Sequence, residues 1–121
     1  MYKLTDAEWA VLETLWDTPG APLGELVCRL RPQKNWSRNT VHTYLTRMET
    51  KGLVTIDRTC EPHTYSYAVT REECARQERL SLLNRVYGGA AGDLVAAFLK
   101  ESHITAEERD ALKKLLDEME V

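Results

Sequence analysis

A mainly α fold carrying one small β-hairpin, with a second, all-helical segment behind it, is what this sequence of 121 residues predicts. Three observations predict it. Apolar residues recur at three- and four-residue spacing through most of the chain, the period of helices laid on a core. Residues 53–58 and 64–69 break that period, with Tyr65, Tyr67 and Val69 in alternation. The turn-forming stretches Thr18-Pro19-Gly20, Arg31-Pro32, Gly52 and Gly88-Gly89 fall between the segments so defined. No internal repeat or low-complexity segment interrupts the pattern.

The first helix opens at Thr5, with Glu8 three residues on, the spacing of a capping box. Trp9, Leu12, Leu15 and Trp16 mark its apolar face, and it ends before Thr18-Pro19-Gly20. Ala21-Pro22 reopens the chain, proline being well placed in a first helical turn. Leu23, Leu26, Val27 and Leu30 stripe this second, shorter helix, which Arg31-Pro32-Gln33-Lys34-Asn35 breaks.

The third helix is the segment around which the chain is organised, WSRNTVHTYLTRMETKG from Trp36 to Gly52. Ser37 stands at its N-cap and Gly52 at its stop. Val41, Leu45 and Met48 fall on one side, with Tyr44 at the margin. The other side carries Asn39, Thr43, Thr46 and Thr50, flanked by His42 and Arg47, with Arg38 near the start. No acid occurs between Trp36 and Met48. Threonines at 40, 43, 46 and 50 are poor helix formers, each costing about 0.5 kcal/mol against alanine. What they offer instead is close approach, a hydroxyl for phosphate and a methyl for thymine. A short helix, a tight break and a longer polar-faced helix make a helix-turn-helix, and this face reads as a DNA recognition helix. A merely solvated polar face is the alternative.

Residues 53–58 and 64–69 read as two strands around the turn Thr59-Cys60-Glu61-Pro62-His63, a wing directly after the recognition helix. Arg58, Thr59 and His63 are placed to reach backbone phosphate, whereas Glu61 at the tip opposes it. The tyrosines are expected to pack under the sheet. The first domain is therefore a winged helix-turn-helix over residues 1–69.

Residues 70–121 form the second domain. Thr70 with Glu73 starts a helix through Tyr87 that bears Leu80, Leu83 and Val86. After the glycine break, Leu94, Val95, Phe98 and Leu99 mark a short helix ending near Lys100. Thr105 with Glu108 starts the last, striped by Leu112, Leu115, Leu116 and Met119. Three helices in so short a segment make a marginal core by themselves. Burial of this apolar surplus against a second copy, giving a homodimer, is the economical solution; folding back on the first domain is the alternative.

The net charge of −3 is unevenly placed. Residues 1–69 balance to zero, residues 70–121 carry −3, and Lys34, Arg38, Arg47, Lys51 and Arg58 outnumber Glu49 and Asp57 around the third helix. Cys28, Cys60 and Cys74 are odd in number, far apart and without a CxxC pair, which suits reduced thiols in a cytoplasmic protein. No leader-like start and no apolar run long enough for membrane insertion is evident. His42, His63 and His103 are scattered. Cys60 and His63 share the wing turn but lack further ligands, so neither a metal nor another cofactor is expected. No nucleophile motif argues for an enzyme. Gly88-Gly89-Ala90-Ala91-Gly92 follows no strand and matches no phosphate-binding fingerprint.

On LTDAEWAVLETLW, WSRNTVHTYLTRMETKGLV and LLNRVYGGAAGDLVAAFLK, nearly the whole chain resembles the BlaI/MecI/CopY family of bacterial repressors. That resemblance implies a winged-helix domain, a helical dimerisation domain and a dyad-symmetric double-stranded DNA operator with TACA-like half-sites. By position, Asn39, Thr40, Thr43, Thr46 and Arg47 would face DNA, with wing contacts near Arg58. Arg38 and Asn39 stand where other members carry different residues, which leaves base preference open. The copper-responsive branch has paired Cys-x-Cys motifs near its C-terminus, and no cysteine follows Cys74 here, so copper sensing is not expected. The β-lactam-responsive branch is inactivated when a membrane-sensor protease pathway cuts an Asn-Phe bond; the corresponding bond is Ala97-Phe98, with the phenylalanine kept and the asparagine absent. The expected function is an operator-binding homodimeric repressor, against the alternative of a winged-helix protein-interaction or effector-sensing module that binds no operator.

Overall fold

The computed structural model describes residues 3–120. The chain divides into two compact units, the first ending at Arg79 and the second beginning at Leu80.

The first unit opens on α1, Asp6–Asp17. Its capping box is complete: the Glu8 amide donates to Thr5 Oγ1 at 3.2 Å and the Thr5 amide to Glu8 Oε1 at 3.0 Å. Thr18 caps the C-terminus, and Gly20 turns the chain at φ +78°, where a side chain would be strained. Ala21–Pro22 does not open the next helix as expected. It is a two-residue strand, β1, whose Ala21 pairs with Tyr65 and Pro22 with Thr64. Proline lacks an amide to donate, which an edge strand tolerates. Pro22 then serves as N-cap with φ −76° and ψ 164°, so α2 starts one residue later, at Leu23–Leu30. The third helix, α3, runs Arg38–Thr50 behind the Ser37 cap.

Strands β2, Val54–Asp57, and β3, Thr64–Tyr67, complete an antiparallel sheet in the order β1-β3-β2. Both are shorter than the alternation suggested. Leu53 is used to close α3, donating to Met48 O at 2.9 Å, and its own carbonyl accepts from the Ala68 amide at 2.8 Å. Tyr65 is buried beneath the sheet as expected. Tyr67 is not: it is 37% exposed at the strand end, beside a shallow cleft with Trp16, Thr70 and Arg71.

The core is made by one face of each helix and the inner side of the sheet. Leu12 and Leu15 from α1, Leu26 and Leu30 from α2, Val41, Leu45 and Met48 from α3, and Leu53, Val54 and Tyr65 are all buried. Helix α4, Arg71–Tyr87, extends this set: Cys74 belongs to the core cluster. Its entry is fixed by Trp16 Nε1 donating to Val69 O at 2.9 Å and by the Arg71 guanidinium 5.1 Å over the Trp16 ring.

In the second unit, Gly88 and Gly89 take φ +56° and +88° and end α4. Helix α5 spans Ala91–Glu101 and α6 spans Ala106–Glu118, the latter with both legs of the Thr105/Glu108 box in place. None of the described residues from Leu80 onward is buried. Leu83, Leu94, Ala97 and Leu112 are half-buried, whereas Leu80, Val86, Phe98, Leu115, Leu116 and Met119 are exposed. No helix among the described residues is long and apolar enough to cross a membrane.

Candidate nucleic-acid interface

Helix α3 is held by its apolar side, which fixes what its other side presents. Val41, Leu45 and Met48 are fully buried, so Arg38, Asn39, His42, Thr43, Arg47 and Thr50 are turned out and exposed, with Thr40 and Thr46 half-buried. The Thr40 amide donates to Ser37 Oγ at 3.2 Å, which anchors the first turn. Arg38 lies against α2 at Gly24, where an added methyl would come within 3.4 Å of Arg38 Nη1. The far end of α3 is tied to α1: Lys51 Nζ donates to Glu8 Oε2 at 2.7 Å. Burial of Glu8 raises the cost of its charge, but hydrogen bonds from Lys51 and from the Thr5 backbone outweigh it and hold the carboxyl below the ordinary value.

The threonines are arranged in a way their spacing alone did not reveal. Thr43 Oγ1 donates to Asn39 O at 2.9 Å, Thr46 Oγ1 to Thr43 O at 3.0 Å and Thr50 Oγ1 to Thr46 O at 3.2 Å. Thr40 Oγ1 is engaged with Ser37 Oγ at 3.0 Å. The hydroxyl protons of 43, 46 and 50 therefore go to the helix's own carbonyls. Asn39, Thr40, Thr43, Tyr44 and Arg47 line a shallow cleft of about 270 Å³ on this face.

Charge is distributed more selectively than the sequence suggested. Arg58 does not stand free on the wing. Its Nη1 donates to Glu49 Oε2 at 2.7 Å and its Nη2 to Glu49 Oε1 at 2.9 Å, a bidentate fork between the residue that follows β2 and the end of α3. That hydrogen bonding holds Glu49 below the ordinary carboxylate value and raises Arg58. Asp57 is likewise lowered, first by the hydroxyl and then by the amide of Thr59, which closes the wing turn. With Lys51 and Arg58 in ion pairs, Lys34, Arg38 and Arg47 are the cations near α3 that form none among the described residues. Cys60 is exposed at the wing, and His63 lies 3.7 Å from Glu61. Among the described residues no group of three or more His, Cys, Asp or Glu is placed to hold a metal.

Two residues of the face were not expected. Trp36 stacks on Tyr44 with ring centroids 4.8 Å apart and planes 27° from parallel, and Lys34 Nζ sits 5.9 Å from the Trp36 ring. The sequence placed Trp36 just before the Ser37 cap and Tyr44 at the margin of the apolar stripe, but spacing alone did not show that the two rings stack. The Glu49–Arg58 fork had no sequence signal, because it depends on the hairpin's path.

The family described as Penicillinase repressor matches residues 4–118. The chain belongs to the penicillinase repressor family. Among relatives within it, the methicillin resistance regulatory protein MecI of Staphylococcus aureus (strain N315) is 29% identical over 96% of this chain and 94% of that protein. The penicillinase repressor of Bacillus licheniformis is 26% identical over 96% of this chain and 91% of its own length. The solution structure of the Bacillus licheniformis BlaI monomeric form, in complex with the blaP half-operator, superposes with a TM-score of 0.52 at 22% identity, over 60% of this chain and 88% of that one. That likeness shows the winged-helix fold shared by this penicillinase repressor family member. Penicillinase repressors are regulators of transcription, which is not an enzyme class.

Proposed function

We propose that this chain is a DNA-binding transcriptional repressor that acts as a cytoplasmic homodimer on a dyad-symmetric operator. The observation that carries the reading is the outward face of α3. On a penicillinase repressor fold it presents Arg38, Asn39, Thr40, His42, Thr43, Thr46 and Arg47 without an acid, and Arg38 and Arg47 are in no ion pair among the described residues. Such a face suits phosphate and base edges in a major groove. Arg58 joins this set from the wing once it exchanges Glu49 for a phosphate.

The dimer reading rests on exposed apolar side chains in the second unit, Leu80, Phe98, Leu115, Leu116 and Met119, with Leu83, Leu94 and Leu112 half-buried beside them. In this reading residues 1–69 bind DNA and residues 70–121 dimerise, while the first turns of α4, as far as Arg79, belong to the compact first unit. Relatives named for methicillin resistance and penicillinase support a role in antibiotic-resistance control. Repression would then be released through a membrane sensor protease pathway by a cut at Ala97-Phe98, a bond within α5 whose Phe98 is 56% exposed.

The test is selection of the protein's preferred duplex from a randomised pool, followed by affinity against salt. An operator binder loses affinity linearly in log salt, with a slope of about −0.9 per phosphate neutralised. Failure to enrich any duplex would favour a protein-interaction or effector-sensing module.

A further inference from the structure

We propose that the cleft on α3 is a methyl pocket for thymine, built by the Thr43 methyl and the Tyr44 ring, and that the threonine hydroxyls take no direct part in reading the operator. This rests on the DNA-binding reading above and specifies how its central face discriminates bases.

Each threonine carries a hydroxyl and a methyl on the same β-carbon, so fixing one branch aims the other. Thr43 gives its hydroxyl proton to Asn39 O at 2.9 Å and Thr46 gives its own to Thr43 O at 3.0 Å. The branch left without a hydrogen-bonding role is the methyl. Thr40 Oγ1 is engaged with Ser37 Oγ at 3.0 Å. The cleft of about 270 Å³ is lined by Asn39, Thr40, Thr43, Tyr44 and Arg47, so the apolar groups its lining offers are threonine methyls and the Tyr44 ring. The Tyr44 ring is fixed by stacking on Trp36 with centroids 4.8 Å apart. The polar groups of the lining include Asn39 and Arg47, whose side chains form no hydrogen bond or ion pair among the described residues.

A cleft lined by threonine methyls, a tyrosine ring, an amide and a guanidinium fits one feature of a major groove. The 5-methyl of thymine is the apolar group exposed there, and its flanking base edges carry the acceptors and donors that Arg and Asn engage. The occupant is a pyrimidine methyl in duplex DNA, favoured over a free small ligand by the acid-free, cationic surroundings of the cleft.

Substitution at Thr43 separates the two branches. Thr43→Ser keeps the hydroxyl and deletes the methyl; Thr43→Val does the reverse. The probe is the tightest duplex recovered from a randomised pool, with each thymine replaced in turn by deoxyuridine, which removes only the methyl. For the unaltered protein, one thymine per half-site should lose about 4-fold in affinity on replacement, the equivalent of ~0.8 kcal/mol for a buried methyl-sized group. Thr43→Ser and Tyr44→Ala should bind the thymine and deoxyuridine duplexes equally, and Thr43→Val should keep the 4-fold preference. Should Tyr44→Ala melt early, the Thr43 pair decides alone, since both changes lie on an exposed turn. A Thr43→Ser protein that still prefers thymine, or a Thr43→Val protein that loses the preference, overturns the pocket while operator binding stands. Recovery of no duplex at all overturns both.

Discussion

Arg58 is basic, exposed and on the wing, yet its charge is already engaged. The Glu49 carboxylate takes both of its outer nitrogens at 2.7 and 2.9 Å. A phosphate must compete with that fork, so the wing's contribution to affinity is held in check by one acid on α3. Glu49→Gln should strengthen operator binding and steepen its dependence on log salt by about 0.9 in slope, as one more phosphate is neutralised. Arg58→Ala should then cost more in the Glu49→Gln background than alone; equal costs, measured by fluorescence anisotropy, would show that Arg58 reaches DNA despite the fork. Arg47 has no such partner among the described residues, and Arg47→Ala should weaken binding by about 1–3 kcal/mol while leaving the melting temperature in place. The outward position of the threonines and of Arg47 was legible from a 3.6-residue period, because Val41, Leu45 and Met48 left no other orientation. Which partner each side chain takes was not, because Glu8–Lys51 and Glu49–Arg58 join residues that only tertiary folding brings together.

Glu8 provides the corresponding prediction for pH. Its side chain is 5% exposed and bonded to Lys51 at 2.7 Å, and its folded carboxyl titrates below the ordinary value of 4.5. A lowered carboxylate contributes stability that is complete above the unfolded value and is lost as pH falls through the folded one. Glu8→Gln should therefore destabilise by about 1 kcal/mol at neutral pH. Calorimetry between pH 7 and pH 3 should show that gap constant down to about pH 5 and closing only below the ordinary glutamate value.

At the scale of elements, the helices were announced by their ends. Thr5/Glu8 and Thr105/Glu108 form both legs of their boxes, and Ser37 caps α3, because these bonds lie within one turn and need no distant partner. Thr70/Glu73 is a variant: the Glu73 amide donates to Thr70 Oγ1 at 3.1 Å, but the Glu73 carboxylate takes the threonine hydroxyl instead of the backbone amide. The strands were harder to read, since a short strand ends where its partner ends. Pro22 looked like a helix opener until β3 drew Ala21 into the sheet. Helices α5 and α6 were read as amphipathic, and among the described residues their apolar sides are only partly covered: Leu94, Ala97 and Leu112 are half-buried, whereas Phe98, Leu115 and Leu116 are exposed. Phe98→Asp and Leu115→Asp should each yield monomers by sedimentation; an intact dimer in both would place these side chains outside the interface. A foreign protease site set across residues 96–99 should release the repressor from its operator on cleavage.

For the whole molecule, the compact first unit reaches Arg79, ten residues beyond the last strand-like residue, Val69. Cys74 is 2% exposed within the core, so the first turns of α4 stabilise the winged helix directly. A fragment ending at Arg79 should fold and melt as one unit, whereas one ending at Val69 should lose about 2 kcal/mol or more through the removed Cys74 packing. Circular dichroism of the two fragments distinguishes these outcomes. Either fragment should bind an operator half-site weakly, because tethering two sites raises avidity by about 10²–10⁴.

The absence of any buried residue from Leu80 onward among the described residues has a consequence for how the repressor keeps count of itself. If the second unit completes its core only with another copy, its folding is a bimolecular reaction, and its stability rises with the logarithm of protein concentration. The first unit obeys no such law. Heating should then resolve two transitions, of which only one moves when the protein is diluted. In a cell, dilution by growth would empty the operator more steeply than a single-site affinity predicts, because halving the protein lowers both the number of subunits and the fraction that are paired. The repressor would act as a threshold device, sensitive to its own synthesis rate before any inducer arrives.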